Sequence, residues 1–144
     1  KGEPSLKVRL KMIQPSSRDK TPLDIAVDIW KMLDSPAYPM TDEEIRTLVI
    51  AEHKRANNPA GYMRQIAAIQ TTPDRTALLR SIAAPTLVIH GNQDVLVPVS
   101  GGIDTARHIP GAELVRFEGM GHTLPGALLA QFAELIENNS ARGG

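Results

Sequence analysis

At 144 residues the chain has the length of one domain, and its 42% apolar content is enough for a core. Lys+Arg and Asp+Glu both number 16, so the formal net charge is zero and nothing in that balance draws nucleic acid or an anionic membrane. There are no cysteines, which excludes disulfides and thiolate metal sites and fits a cytoplasmic setting. No apolar run reaches the length of a membrane span. Lys1-Gly2-Glu3-Pro4 carries neither the apolar region of a signal peptide nor an initiator Met, so the expectation is a processed or truncated chain.

Residues 1–20 read as a connecting segment. Leu6, Val8, Leu10 and Met12 alternate with Lys7, Arg9 and Lys11, a strand-like period, while the same residues are good helix formers over 6–13. Thr21-Pro22 opens a clearer helix, with Thr21 at the N-cap and Pro22 in the first turn. Ile25, Ile29 and Leu33, with Ala26 and Trp30 beside them, give it one apolar face. The prolines of D-S-P-A-Y-P, Asp34 to Pro39, end it. Thr41 to Glu44 is a capping box, and Ile45, Leu48, Val49 and Ala56 are expected to face inward on the helix that follows. A third helix is expected from Pro59 to about Gln70, carrying Tyr62, Met63, Ile66 and Ile69. Thr72-Pro73-Asp74 opens a short fourth helix with Leu78 and Leu79 inward.

After Ala84 the period changes. Thr86 to His90 is a β-branched apolar run bounded by Pro85 and Gly91, the pattern of a buried strand. Ser100 to Ile109 predicts a helix, with Ser100 as its N-cap and Pro110-Gly111 closing it. Glu113 to Phe117 predicts a second strand. The last helix, from about Pro125, aligns Leu128, Leu129, Phe132, Leu135 and Ile136, and a polar tail over 139–144 is expected to fray. Strand, helix, strand, helix implies a parallel sheet with a crossover. Parallel sheets usually contain more than two strands, so the neighbours of these two are expected before Lys1.

The chemistry gathers at the ends of those strands. Asp94 follows the first strand and His122 follows Gly119-Met120-Gly121 after the second. Taken singly, one reads equally as a solvated turn carboxylate and the other as a turn-capping histidine. Together they leave adjacent parallel strands on the same edge, where ligands collect in open parallel sheets. There a carboxylate can accept the imidazole Nδ1–H and leave Nε2 as a general base. No G-x-S-x-G element supplies a nucleophile, and no oxyanion hole is identifiable. His90 ends the first strand and reads as structural before pocket-lining, and His53 and His108 read as helix-face residues. No H-E-x-x-H or paired-histidine spacing suggests a metal, and no glycine-rich phosphate loop suggests a nucleotide, so no cofactor is expected.

P-T-L-V-I-H-G-N-Q-D, then V-P, a helix ending I-P-G-A, a strand and G-M-G-H together resemble the closing part of an α/β-hydrolase-fold enzyme, covering about residues 82–138. Residues 21–81 are similar to the helical cap that such enzymes insert before the acid-bearing strand. The subgroup is similar to bacterial esterase-like hydrolases that include anthracycline methyl esterases. The resemblance implies an α/β class chain, an incomplete α/β-hydrolase fold in which a helical cap precedes the last β-α-β-α unit. It implies Asp94 as triad acid, His122 as triad base, and a nucleophile before Lys1. A small ester-like substrate would be shaped by cap residues such as Trp30, Tyr62 and Met63. Epoxide, carbon–halogen, C–C and peptide hydrolysis belong to similar enzymes and use the same acid and base. A non-catalytic interaction domain, self-associating through its open sheet edge, is the alternative of a different class.

Overall fold

The computed structural model describes residues 19–56 and 58–143. The expected strand or helix over 6–13, and all but the end of the connecting segment, lie outside the described residues. Helix α1 (Pro22–Leu33) and helix α2 (Asp42–Arg55) each start in a capping box, Thr21 with Asp24 and Thr41 with Glu44. In α2, Asp42, Glu43 and Glu44 occupy the first turn and His53, Lys54 and Arg55 the last, an order that complements the helix dipole. The two helices bury Val27, Ile45 and Val49 between them, with Leu23, Ala26, Trp30 and Met40 packed around. The face of α1 turned to α2 is therefore that of Val27, while Ile25 and Ile29 are half-buried at its flank. Ala56, expected inward, is exposed at the C-cap of α2.

Helix α3 (Pro59–Thr71) is capped by Asn58, whose side chain accepts the Gly61 N–H. Of the apolar residues expected on it, Met63 and Ile69 are exposed and Ile66 is half-buried. Helix α4 (Thr76–Arg80) follows a turn in which the Asp74 carboxylate accepts from the Thr76 N–H and hydroxyl. Leu78 is 65% exposed, so of the expected inward pair only Leu79 is half-buried.

Strands β1 (Leu87–Gly91) and β2 (Glu113–Phe117) pair in parallel, from Leu87 beside Glu113 to Gly91 beside Phe117. Helix α5 (Val99–His108) crosses between them. It begins after Pro98 with no side-chain cap, so Ser100 sits in its first turn and is not the N-cap. Leu87 to His90 are half-buried, less than the expected buried strand, because the sheet among the described residues has two strands and each is paired on one side.

A short 3-10 turn, Gly126–Leu128, leads into helix α6 (Leu129–Ala141). Met120, Leu128 and Phe132 form a second core with Tyr38, Ile89 and Phe117, and Phe117 meets Phe132 edge to face at 5.1 Å. Of the residues expected on one face of this helix, Leu129 and Ile136 are exposed while Leu128 and Phe132 are buried. The expected fraying tail is instead partly the last turn of α6. Asn139 Nδ2 donates to the Pro85 carbonyl and Arg142 Nη2 to the Gly111 carbonyl, which ties this end to the sheet. No described helix is long and apolar enough to cross a membrane.

Candidate active site

The loop after β1 and the loop after β2 are stapled together by main chain. Asn92 N–H donates to the Phe117 carbonyl and Gln93 N–H to the Met120 carbonyl, both at 3.0 Å. A Cβ on Gly91 would stand 2.3 Å from the Met120 oxygen, so only glycine lets the loops approach this closely. Side chains add a second set of ties. The Asn92 and Gln93 amides both donate to the Glu118 carboxylate, and Gln93 Oε1 accepts the Gly119 N–H at 2.6 Å. Those two amide bonds hold the Glu118 carboxyl below its ordinary range.

The staple brings the two expected residues together. His122 Nδ1 donates to Asp94 Oδ2 at 2.8 Å. Asp94 Oδ1 accepts from the Leu96 N–H at 2.9 Å and the Val97 N–H at 2.8 Å. The Asp94 side chain is 7% exposed and that of His122 is 37% exposed. Burial pushes the Asp94 carboxyl up. The hydrogen bond from His122, the Val97 N–H, the His122 charge and the Leu96 N–H together outweigh it, and the carboxyl lies below its ordinary value. The hydrogen bond to Asp94 raises His122 above an ordinary histidine. Burial opposes this and the Asp94 charge adds to it. With Nδ1 engaged, the neutral ring presents an acceptor at Nε2, which has no protein partner among the described residues.

His90 has the structural place expected of it. Its Nε2 donates to the Val97 carbonyl at 2.8 Å and lies 3.7 Å from Asp94 Oδ2. It thus holds the loop that carries the acid. His53 and His108 lie on α2 and α5. Among the described residues no cluster of three or more His, Asp or Glu could hold a metal ion.

Of the expected pocket residues, Trp30 and Met63 are not among the hydrogen-bond partners of Asp94 and His122. Trp30 packs against the α1–α2 core, and its Nε1 donates to Glu52 at 3.1 Å. Met63 is 63% exposed on α3. The Tyr62 side chain lies outside what is described. The cleft beside the acid loop has a different lining. It measures about 220 Å³ and is bounded by Asp34, Ser35 and Pro36 after α1 and by Gln93 and Val95 on either side of Asp94. In the sequence Asp34 and Ser35 signal only a helix end, yet they touch the histidine loop: Ser35 Oγ accepts the Gly121 N–H at 2.9 Å.

A strand-end acid paired with a histidine from the next strand does not by itself identify a family. A family model described as TAP-like protein, of the α/β-hydrolase group, matches residues 40–128. The chain belongs to that α/β-hydrolase family. Rhodomycin D methylesterase DauP of a Streptomyces species is 30% identical over 149 residues, which is 94% of this chain and 49% of the relative. The 2-hydroxymuconate semialdehyde hydrolase of Pseudomonas putida is 31% identical over 106 residues, 65% of this chain and 38% of that enzyme. The crystal structure of the esterase RhEst1 from a Rhodococcus species superposes with a TM-score of 0.65 at 20% identity, covering 90% of this chain and 45% of the other. This α/β-hydrolase chain thus spans about half the length of the curated relatives it matches, and its fold is a partial α/β-hydrolase fold.

Proposed function

We propose that the chain supplies the acid and base of a serine hydrolase acting on carboxylic esters, with helices α1 to α4 as the cap over its site. The observation that carries this reading is the 2.8 Å bond from His122 Nδ1 to Asp94 Oδ2, with Nε2 left to work as the base. The name of the Streptomyces relative, a methylesterase, supports an ester as substrate. The nucleophile and oxyanion hole are assigned to residues before Lys1, because no G-x-S-x-G occurs in the chain and the fold orders nucleophile, acid, histidine.

In this mechanism Nε2 takes the proton of the serine hydroxyl as its oxygen attacks the ester carbonyl. The imidazolium formed is stabilised by the ionised Asp94, which keeps its charge throughout. The tetrahedral intermediate collapses, the C–O bond to the alcohol breaks, and Nε2–H returns the proton to the departing alkoxide. Water then repeats the sequence on the acyl-enzyme, releasing the acid and the serine. Asp94 and His122 serve aspartate-nucleophile chemistry equally well, so the nucleophile's identity separates esters from epoxides and halides.

Fluorophosphonate labelling, mapped by peptide mass spectrometry on the protein carrying the residues before Lys1, tests the reading. A single serine adduct is expected, formed about 100-fold or more slowly in His122→Ala. Labelling that His122→Ala leaves unchanged, or the absence of any serine adduct, overturns it and leaves aspartate chemistry or a non-catalytic domain.

A further inference from the structure

The loop between α1 and α2 does more than turn the chain. Ser35 is 1% exposed and Thr123 is 7% exposed, and hydroxyls so buried need partners. Gly121 N–H donates to Ser35 Oγ at 2.9 Å, Ser35 Oγ lies 3.1 Å from Thr123 Oγ1, and Thr123 Oγ1 donates to Asp34 Oδ1 at 3.1 Å. Each hydroxyl has one proton. That of Thr123 goes to Asp34, so that of Ser35 goes to Thr123. The chain of bonds therefore runs one way, from the Gly121 N–H through two hydroxyls to a carboxylate. Its members polarise one another in that direction. The second Asp34 oxygen is occupied by the Met40 N–H at 2.8 Å.

Main chain doubles the connection. The Leu33 carbonyl accepts from the His122 N–H at 2.9 Å and the Thr123 N–H at 3.3 Å. That carbonyl belongs to the last turn of α1, where helices leave acceptors unused. Ala37 N–H donates to the Gly119 carbonyl at 3.0 Å. A Cβ on Gly121 would stand 2.3 Å from the Asp34 carbonyl oxygen, so the two loops are in direct apposition. His122 is thus gripped at residues 121, 122 and 123 by the end of α1, and only its ring reaches across to Asp94.

We propose that Asp34, Ser35 and Thr123 are positioning residues for His122, a latch that fixes the histidine loop to the end of α1 and sets the reach of the imidazole to Asp94. The inference rests on the acid–base reading of that pair. It makes the base sensitive to α1, so a helix movement on substrate entry would be felt at Nε2.

NMR titration of the His122 imidazole in the 144-residue chain tests the latch, with urea unfolding run in parallel. The titratable groups on the elements that hold His122 are Asp94, bonded to its ring, His90 at 3.7 Å from the same Asp94 oxygen, Asp34 at the end of α1 and Glu118 in the β2 loop. The variants Thr123→Val and Ser35→Ala alter none of these charges, and Asp94→Asn marks the ring without a carboxylate partner. In the wild type His122 is expected to titrate above Asp94→Asn. Thr123→Val and Ser35→Ala are expected to move it down toward Asp94→Asn, and Thr123→Ser to restore it. A Thr123→Val that loses stability but titrates as wild type overturns the latch and leaves the pair intact. A wild type that titrates with Asp94→Asn overturns the pair itself. Should Thr123→Val fail to fold, Ser35→Ala decides by the same criterion.

Discussion

Asp94 is a nearly buried carboxylate, and removing such a charge from water costs several kcal/mol unless donors replace the water. Two backbone N–H groups and the His122 ring do so here. The consequence for stability has a definite pH window. The carboxyl is lowered, so its contribution is present above the ordinary value near 3.9 and is lost as pH falls through the lower folded value. His122 is raised, so its contribution is present below about 6.5 and is lost as pH rises through the higher folded value. Both are in force between about pH 4 and 6.5. The urea midpoint of the wild type should exceed that of Asp94→Asn most near pH 5 to 6, with the gap narrowing by pH 9. A gap that does not change with pH would mean that the pairing contributes nothing through charge. Asp94 and His122 were legible in the sequence because strand ends on one sheet edge are a local and periodic signal. Ser35 and Thr123 were not. Their contact spans 88 positions, and neither residue departs from ordinary loop composition.

At the scale of elements, the β1 and β2 loops stand or fall together. Gly91→Ala would drive a methyl group into the Met120 and Gly121 carbonyl oxygens, at 2.3 and 2.4 Å. Backbone cannot step aside as a flexible side chain can. The substitution should cost at least about 1–3 kcal/mol in urea unfolding. It should also abolish the paired titration of His122, and a stable Gly91→Ala with an intact pair would contradict the stapled-loop account. The α1–α2 pair has its own anchor in Ile45, 1% exposed. Ile45→Ala should cost about 2–5 kcal/mol, read as a fall in the urea midpoint, while a change within error would place the core elsewhere. The capping boxes of both helices could be read directly from Thr21 and Thr41 because a cap is a relation among neighbours. The inward faces were harder. Trp30 was legible as apolar, but its packing against Val27, Ile45 and Val49 depends on how α1 is rotated against α2. Met63 and Ile69 follow a helical period too, yet both are exposed, since periodicity reports an apolar face and not what lies against it.

Among the described residues of the molecule there are two small cores, one between α1 and α2 and one that includes Met120 of the histidine loop. The Asp34–Ser35 loop joins them by hydrogen bonds. The placement of the His122 loop therefore follows the end of α1, which keeps helical segment and sheet in contact within the partial α/β-hydrolase fold. The proposed function rests on Asp94 and His122 acting as the acid and base for a nucleophile placed before Lys1. The most direct measurement is p-nitrophenyl butyrate hydrolysis by this chain and by the protein carrying the residues before Lys1, each beside its His122→Ala variant, with circular dichroism confirming folding. Turnover is expected only in the longer protein, falling by about 1,000-fold or more in His122→Ala. His122-dependent turnover by the folded 144-residue chain would contradict it, as would a longer His122→Ala variant that hydrolyses as fast as its parent.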